Sequence, residues 1–239
     1  MNNEIPKIIH QIWSGVDEPL PTHFKILGDT WKNDYPTWQY EFWDNDRMNI
    51  FVQDFYPHYW KLYNSFQYNV QRWDAIRYLI LNKIGGIYID FDYESIEPLD
   101  SLLDNQSCCF AMEPTSHCRI FNREVMFNNA LMASIPEHPF MKKIIDKVFS
   151  EEIVFYRNSS KDVCVWETTG PWTLINLYED LSVTEKEKIY LIPDKYVTPF
   201  DVMQARRFRM GEISDELENR LEDAFAVHYF FGGWLNGTK

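Results

Sequence analysis

The chain has no uninterrupted apolar run approaching the ~20 residues that a membrane-spanning helix requires. It also lacks internal repeats, low-complexity tracts and any Pro, Gly or Ser-rich linker, so one domain over residues 1–239 is expected. Four cysteines in 239 residues are too few for a disulfide framework, and adjacent Cys108 and Cys109 lack the spacing of zinc ligands. These two, with Cys118 and Cys164, are expected to be buried free thiols. Basic residues are scarce: 23 Lys and Arg against 36 Asp and Glu leave a net charge of −13. That excludes a general nucleic-acid binder, which needs cations to displace phosphate counterions. Met1 to Lys7 reads as the approach to a strand, not as a charged-then-apolar leader, which makes a cytoplasmic setting the expectation.

Aromatic residues, by contrast, are plentiful, with 9 Trp, 14 Tyr and 17 Phe. Large rings supply much of a domain's burial, and they also stack on bases and sugar faces. Strands are expected at Ile5 to Trp13, Trp38 to Trp43, Ile87 to Ile89, Cys108 to Met112, Val125 to Ala133 and Ile189 to Ile192. Helices are expected at Thr22 to Asn33, Asn69 to Ile84, Pro136 to Ser150, Pro171 to Leu181 and Asp215 to Asp223, with Asp44 standing as a helix cap. The helix from Asn69 carries Val70, Trp73, Ile76, Ile80 and Ile84 at intervals of three and four, which predicts one apolar stripe. Gly85-Gly86 ends it. Strands alternating with helices predict an α/β fold, mainly parallel, with helices on both faces of the sheet.

Ligands in such sheets bind where strands end. The strand Ile87 to Ile89 empties into Asp90-Phe91-Asp92, and carboxylates at i and i+2 of an extended backbone share a side. Two like charges so close are costly unless a cation sits between them. Mg²⁺ and Mn²⁺ bind through one or two carboxylates plus substrate phosphates, so the pair reads as a metal–diphosphate clamp. A bare Asp-x-Asp is more often an Asp-rich turn. The helix, Gly-Gly and apolar strand before this one shift the reading.

Ile5-Pro6-Lys7-Ile8-Ile9-His10-Gln11-Ile12-Trp13 and Arg77-Tyr78 followed by Gly85-Gly86-Ile87-Tyr88-Ile89-Asp90-Phe91-Asp92 resemble a known glycosyltransferase family. It is that of the yeast initiating α-1,6-mannosyltransferase, with bacterial capsular polysaccharide enzymes (family 32). The chain is more distantly similar to the glucosylating domains of the large clostridial toxins. The resemblance implies a GT-A fold, a Rossmann-like mixed sheet with helices on both faces. It also implies a UDP- or GDP-linked sugar donor, Mn²⁺ or Mg²⁺, and transfer with retention of configuration. The acceptor would be a carbohydrate or glycolipid, in polysaccharide, capsule or glycoconjugate synthesis, with peripheral contact at the inner face of a membrane left open.

Carried over residue by residue, the resemblance puts Trp13 against the nucleotide base and Asp74 and Arg77, an Asp-x-x-Arg, at donor ribose and sugar hydroxyls. Asp90 would touch ribose, sugar and metal, and Asp92 and the late His228 would complete the metal site, with Asp90, Asp92 and Arg77 as the catalytic group. Gly232 and Gly233 would let backbone approach the diphosphate, and Trp234 would close over it. Thr169 and Gly170 would lie near the transferred sugar, and Asn128 and Asn129 are further donor or acceptor contacts. Two positions depart from the family pattern: Trp73 replaces a small residue and Gly233 replaces a frequent Ser. Two other classes remain as alternatives. A haloacid-dehalogenase-like phosphatase would use Asp90 as nucleophile, but Glu94 stands where Thr or Val is usual. An inactive nucleotide-sugar-binding module would keep the pocket without turnover.

Overall fold

The structure is a computed structural model that describes residues 4–150 and 159–232. Eight strands are present among them: β1 Ile8–Ile12, β2 Gln39–Trp43, β3 Gly86–Ile89, β4 Tyr93–Ser95, β5 Cys108–Met112, β6 Phe127–Ser134, β7 Tyr190–Ile192 and β8 Ala226–His228. Six form one sheet in the order β2-β1-β3-β6-β5-β7, and β4 pairs with β8 in a separate ribbon. The expected parallel character holds for β1 with β2 and β3, and for β5 with β7. The exception is β6, antiparallel to both β3 and β5. The sheet is therefore mixed.

The main helices are α1 Thr22–Asp34, α2 Asn45–Phe55, α3 Asn69–Lys83, α4 Thr115–Phe121, α5 Pro139–Val148, α6 Lys161–Thr168, α7 Pro171–Glu179, α8 Val202–Arg209 and α9 Asp215–Leu221. Local chemistry sets several ends. Asp44 Oδ1 accepts the Arg47 N–H at 2.8 Å, starting α2 as its cap. Helix α5 begins at Pro139, later than the expected Pro136, because His138 Nδ1 accepts the Phe140 N–H. Asp201 and Gln204 cap each other reciprocally at the start of α8, a helix the sequence reading had not identified. Gly85 leaves α3 at φ +74°, and Gly86 enters β3 at φ +103° with the Ile8 carbonyl 2.5 Å from where a Cβ would stand. Only glycine fits there.

The single apolar stripe expected on α3 is corrected by the structure. Val70, Gln71 and every residue from Asp74 to Leu81 are buried, whereas Trp73 and Ile84 are only half-buried. Helix α3 is enclosed because the sheet, α2, α5 and α6 cover different sides of it. Strand residues alternate between two cores, as a pleated sheet dictates. Tyr88, Cys108, Phe110 and Met132 enter one core with the α3 and α5 side chains, and Ile87, Ile89, Cys109 and Leu131 enter the other with Trp31 of α1. Cys108 and Cys109 thus point to opposite faces as buried thiols, Cys164 is also buried, and Cys118 is half-buried. Trp43 Nε1 of β2 donates to His10 Nδ1 of β1, so the opposite ring nitrogen donates to the Gly85 carbonyl, 2.9 Å away. Burial lowers the His10 pKa to about 4 and leaves it a neutral brace under the Gly-Gly turn.

Candidate functional site

The strands of the large sheet end at a cavity of about 660 Å³. Across this edge stand Trp13 after β1, Asp90 after β3, Asn128 and Asn129 on β6, and Glu113 after β5. Trp13 donates its indole N–H to the Glu18 carbonyl and packs against Phe24 and Phe91. Trp13 is half-buried and lines the cavity, so it is not a core Trp.

Asp90 and Asp92 lie in a turn, not on the extended backbone expected from their spacing: the Tyr93 N–H donates to the Asp90 carbonyl at 3.2 Å. Both line the cavity. Each has its own basic partner. Asp90 faces Arg77 at 3.4 Å and accepts the Tyr88 hydroxyl, while Asp92 Oδ1 lies 3.2 Å from His228 Nε2. Burial raises the Asp90 pKa against the pull of Arg77, with Asp92 pushing the same way. Burial also works against ionised Asp92, but the charge and hydrogen bond of His228 outweigh it and hold that carboxyl below its ordinary value. His228 is raised reciprocally: burial disfavours its charge, and Asp92 more than restores it.

An ion pair also forms within α3. Arg77 contacts Asp74 at 3.1 Å and donates to the Asn129 carbonyl at 2.8 Å, with its guanidinium over the Tyr88 ring. Asp74 accepts from Asn129 Nδ2 and from the Thr169 hydroxyl, both at 3.0 Å. Thr169 is fully buried and does not line the cavity, nor does Gly170. That corrects the expected sugar contact: Thr169 stands behind Asp74 and orients it. Asn128 and Asn129 do line the cavity.

The β4–β8 ribbon brings His228 to Asp92. Tyr93 faces His228 in register, with the two rings stacked 4.3 Å apart. Beyond β8 the chain turns with φ of +47° at Phe230 and +58° at Gly232, aiming the Phe231 N–H at Asp92 Oδ2 at 3.1 Å. Gly232 lines the cavity. Gly233 and Trp234 lie outside the described residues.

Among the described residues no group of three or more His, Cys, Asp or Glu side chains is gathered closely enough to hold a metal ion. The predicted Asp90–Asp92–His228 trio is therefore not closed into one ligand cluster. What fits a divalent cation is Asp92 with His228, one carboxylate and one imidazole, both common metal-ligand types. His228 Nδ1 is buried without a partner, so no second hydrogen bond commits the ring to its present role.

Glu113 and His117 were missed in the sequence. Glu113 Oε1 accepts from Asn128 Nδ2 at 2.8 Å, and Oε2 lies 2.6 Å from His117 Nδ1. Glu113 directly follows a strand that the sequence does predict, so the strand-end rule that singled out Asp90 applies equally to it.

The family described as "Glycosyltransferase sugar-binding region containing DXD motif" matches residues 21–109. The uncharacterized glycosyltransferase L373 of Acanthamoeba polyphaga mimivirus is 31% identical over 202 residues, covering 82% of this chain and 73% of that protein. Inositol phosphoceramide mannosyltransferase 1 of Schizosaccharomyces pombe is 27% identical over 193 residues, or 80% of this chain. The chain spans 56% of that relative's length and 46% of a second fission-yeast mannosyltransferase. The ligand-free glycosyltransferase domain of the YGT toxin superposes with a TM-score of 0.58 at 10% identity, covering 93% of this chain and 90% of that one. This is the GT-A fold. With the Asp90–Asp92 turn at the cavity and a relative aligned along most of both chains, the protein belongs to the DXD-motif glycosyltransferases of family 32 type.

Proposed function

We propose that this chain transfers a hexosyl unit, mannose in the reading its relatives favour, from a nucleotide-linked donor to a hydroxyl of a glycolipid. The observation that carries this is the gathering of Trp13, Arg77–Asp74, Asp90 and Asp92–His228 around a single cavity. Two relatives are named inositol phosphoceramide mannosyltransferases, which favours a lipid-borne polyol over a capsular polysaccharide as acceptor.

In this reading Trp13 takes the nucleotide base by stacking, as aromatic rings do for any base. Asp74 and Asp90, oriented by Arg77, Asn129 and Thr169, accept hydrogen bonds from ribose and sugar hydroxyls. Asp92 and His228 would hold Mn²⁺ or Mg²⁺, which supplies Lewis-acid neutralisation of the diphosphate. The Phe231 N–H aims Asp92 and adds to the larger effect of His228 in favouring its ionised form. The bond from the anomeric carbon to the diphosphate oxygen breaks, its electron pair leaving with the nucleoside diphosphate. The acceptor oxygen bonds to that carbon from the same face, and its proton passes to the departing phosphate oxygen. Retention follows, and no covalent enzyme nucleophile is required.

A thermal-shift screen of GDP and UDP, each with and without Mn²⁺, tests the core of this reading. Ligands that bind only the folded state raise its apparent stability. One nucleotide should shift the midpoint, and more so with metal. Absence of any shift with either nucleotide would overturn the proposal.

A further inference from the structure

We infer that Glu113, held by His117 and Asn128 three strands along the cavity edge from Trp13, is the hydrogen-bond acceptor that receives the hydroxyls of an incoming polyol. The assignment rests on the proposed transferase reading and extends it to the second substrate.

Position comes first. Trp13, Asp90 and Glu113 directly follow β1, β3 and β5, and Asn128 lies on β6; these are consecutive strands of the sheet in the order β1-β3-β6-β5. Neighbouring strands lie about 4.8 Å apart, so Glu113 stands roughly 14 Å across the edge from Trp13. A donor with its base on Trp13 and its diphosphate at Asp92 and His228 brings its sugar toward β6. Glu113 is the next carboxylate beyond that point.

The chemistry of Glu113 agrees. It is buried and lines the cavity, and among the described residues no Lys or Arg forms an ion pair with it. Each carboxylate oxygen takes one protein hydrogen bond, from Asn128 and from His117. An ionised carboxylate offers about four lone-pair sites, so about two remain for a ligand. The Val202 N–H donates to His117 Nε2 at 3.4 Å, which leaves Nδ1–H to donate to Glu113. Asn128 is fixed in turn, its Oδ1 accepting the Ala130 and Leu131 N–H groups. Both supports are therefore oriented from behind. A negative, hydrogen-bond-accepting wall of this kind selects neutral hydroxyl donors, as on a sugar or cyclitol ring, and repels a phosphate. The acceptor's neutral ring would enter first, with any phosphate trailing outward.

The test compares wild type, Glu113→Gln and Glu113→Asp, with GDP-mannose and UDP-glucose as donors and methyl α-mannoside and myo-inositol as acceptor probes. Two quantities are read: the ratio of sugar transfer to donor hydrolysis, and the thermal shift given by GDP or UDP with Mn²⁺. The Gln variant should keep the nucleotide shift while its transfer-to-hydrolysis ratio falls about tenfold or more and its acceptor KM rises. The Asp variant should recover part of the ratio, and it carries the same readout should the Gln variant not fold. An unchanged ratio in a folded variant would overturn the inference. So would parallel loss of nucleotide shift and transfer, which would place Glu113 on the donor side. A wild type with no nucleotide shift and no turnover would instead bring down the transferase reading itself.

Discussion

His228 Nε2 lies 3.2 Å from Asp92 Oδ1, with the imidazole stacked on Tyr93, the residue next to Asp92 in sequence. Because β8 pairs antiparallel with β4, the late histidine is registered against the turn by backbone hydrogen bonds as well as by charge. The Tyr229 N–H also donates to the Asp92 carbonyl at 2.9 Å. The contact is thus built into the ribbon and not left to two mobile side chains.

Asp92→Asn keeps these backbone bonds but replaces the charge that faces His228. The variant should fold, by circular dichroism, and lose about 100-fold or more of its Mn²⁺-supported transfer. Turnover near that of wild type would remove Asp92 from the mechanism.

Trp13 packs edge-on to Phe91 and anchors its indole N–H on the Glu18 carbonyl. Base stacking on an aromatic ring contributes about 1–3 kcal/mol, so Trp13→Ala should weaken nucleoside diphosphate binding about tenfold in a calorimetric titration. An unchanged Kd would mean that the base binds elsewhere.

Arg77 is a buried guanidinium shared by Asp74 and Asp90, and burial works against its charge while these carboxylates hold its pKa above the ordinary value. Removing one member of a buried ion pair strands the others, at about 3–5 kcal/mol. Urea unfolding should show a loss of that size for Arg77→Met. A smaller loss is expected for Arg77→Lys, which keeps the charge but not the planar fork. A Met variant as stable as wild type would contradict the buried pairing.

Burial raises the Asp74 pKa from 3.8 to about 6, against the opposing charge of Arg77. Between those values the folded chain holds a proton that the unfolded chain has released. This group therefore favours folding below about pH 4, and that contribution is lost as pH rises through about 6. Relative to Asp74→Asn, the wild-type melting temperature should fall across that window and run parallel above it. Parallel curves throughout would show that Asp74 titrates as an exposed carboxylate does.

Much of the frame is legible locally. Apolar patterning places β2, β5 and β6 within a residue or two of their observed bounds, Asp44 caps its helix, and Gly85-Gly86 ends α3 where positive φ demands glycine. Other features are not. Trp73 and Ile84 have the spacing of a buried stripe yet stay half-buried, because helix burial depends on which neighbours cover each side. Helix α8 was overlooked, although the reciprocal Asp201–Gln204 cap was there to be read.

By itself, the sequence determined the α/β alternation, the carboxylate pair after a buried strand, and the Asp-x-x-Arg on its helix, since strand period, helix period and glycine conformation act over a few residues. Only the tertiary structure decided that Arg77 serves Asp90 while His228 serves Asp92, that Thr169 stands behind Asp74, and that Glu113 faces the same cavity. Those relations depend on sheet order and on the β4–β8 register, which join segments distant in the chain through pairing that no local pattern encodes.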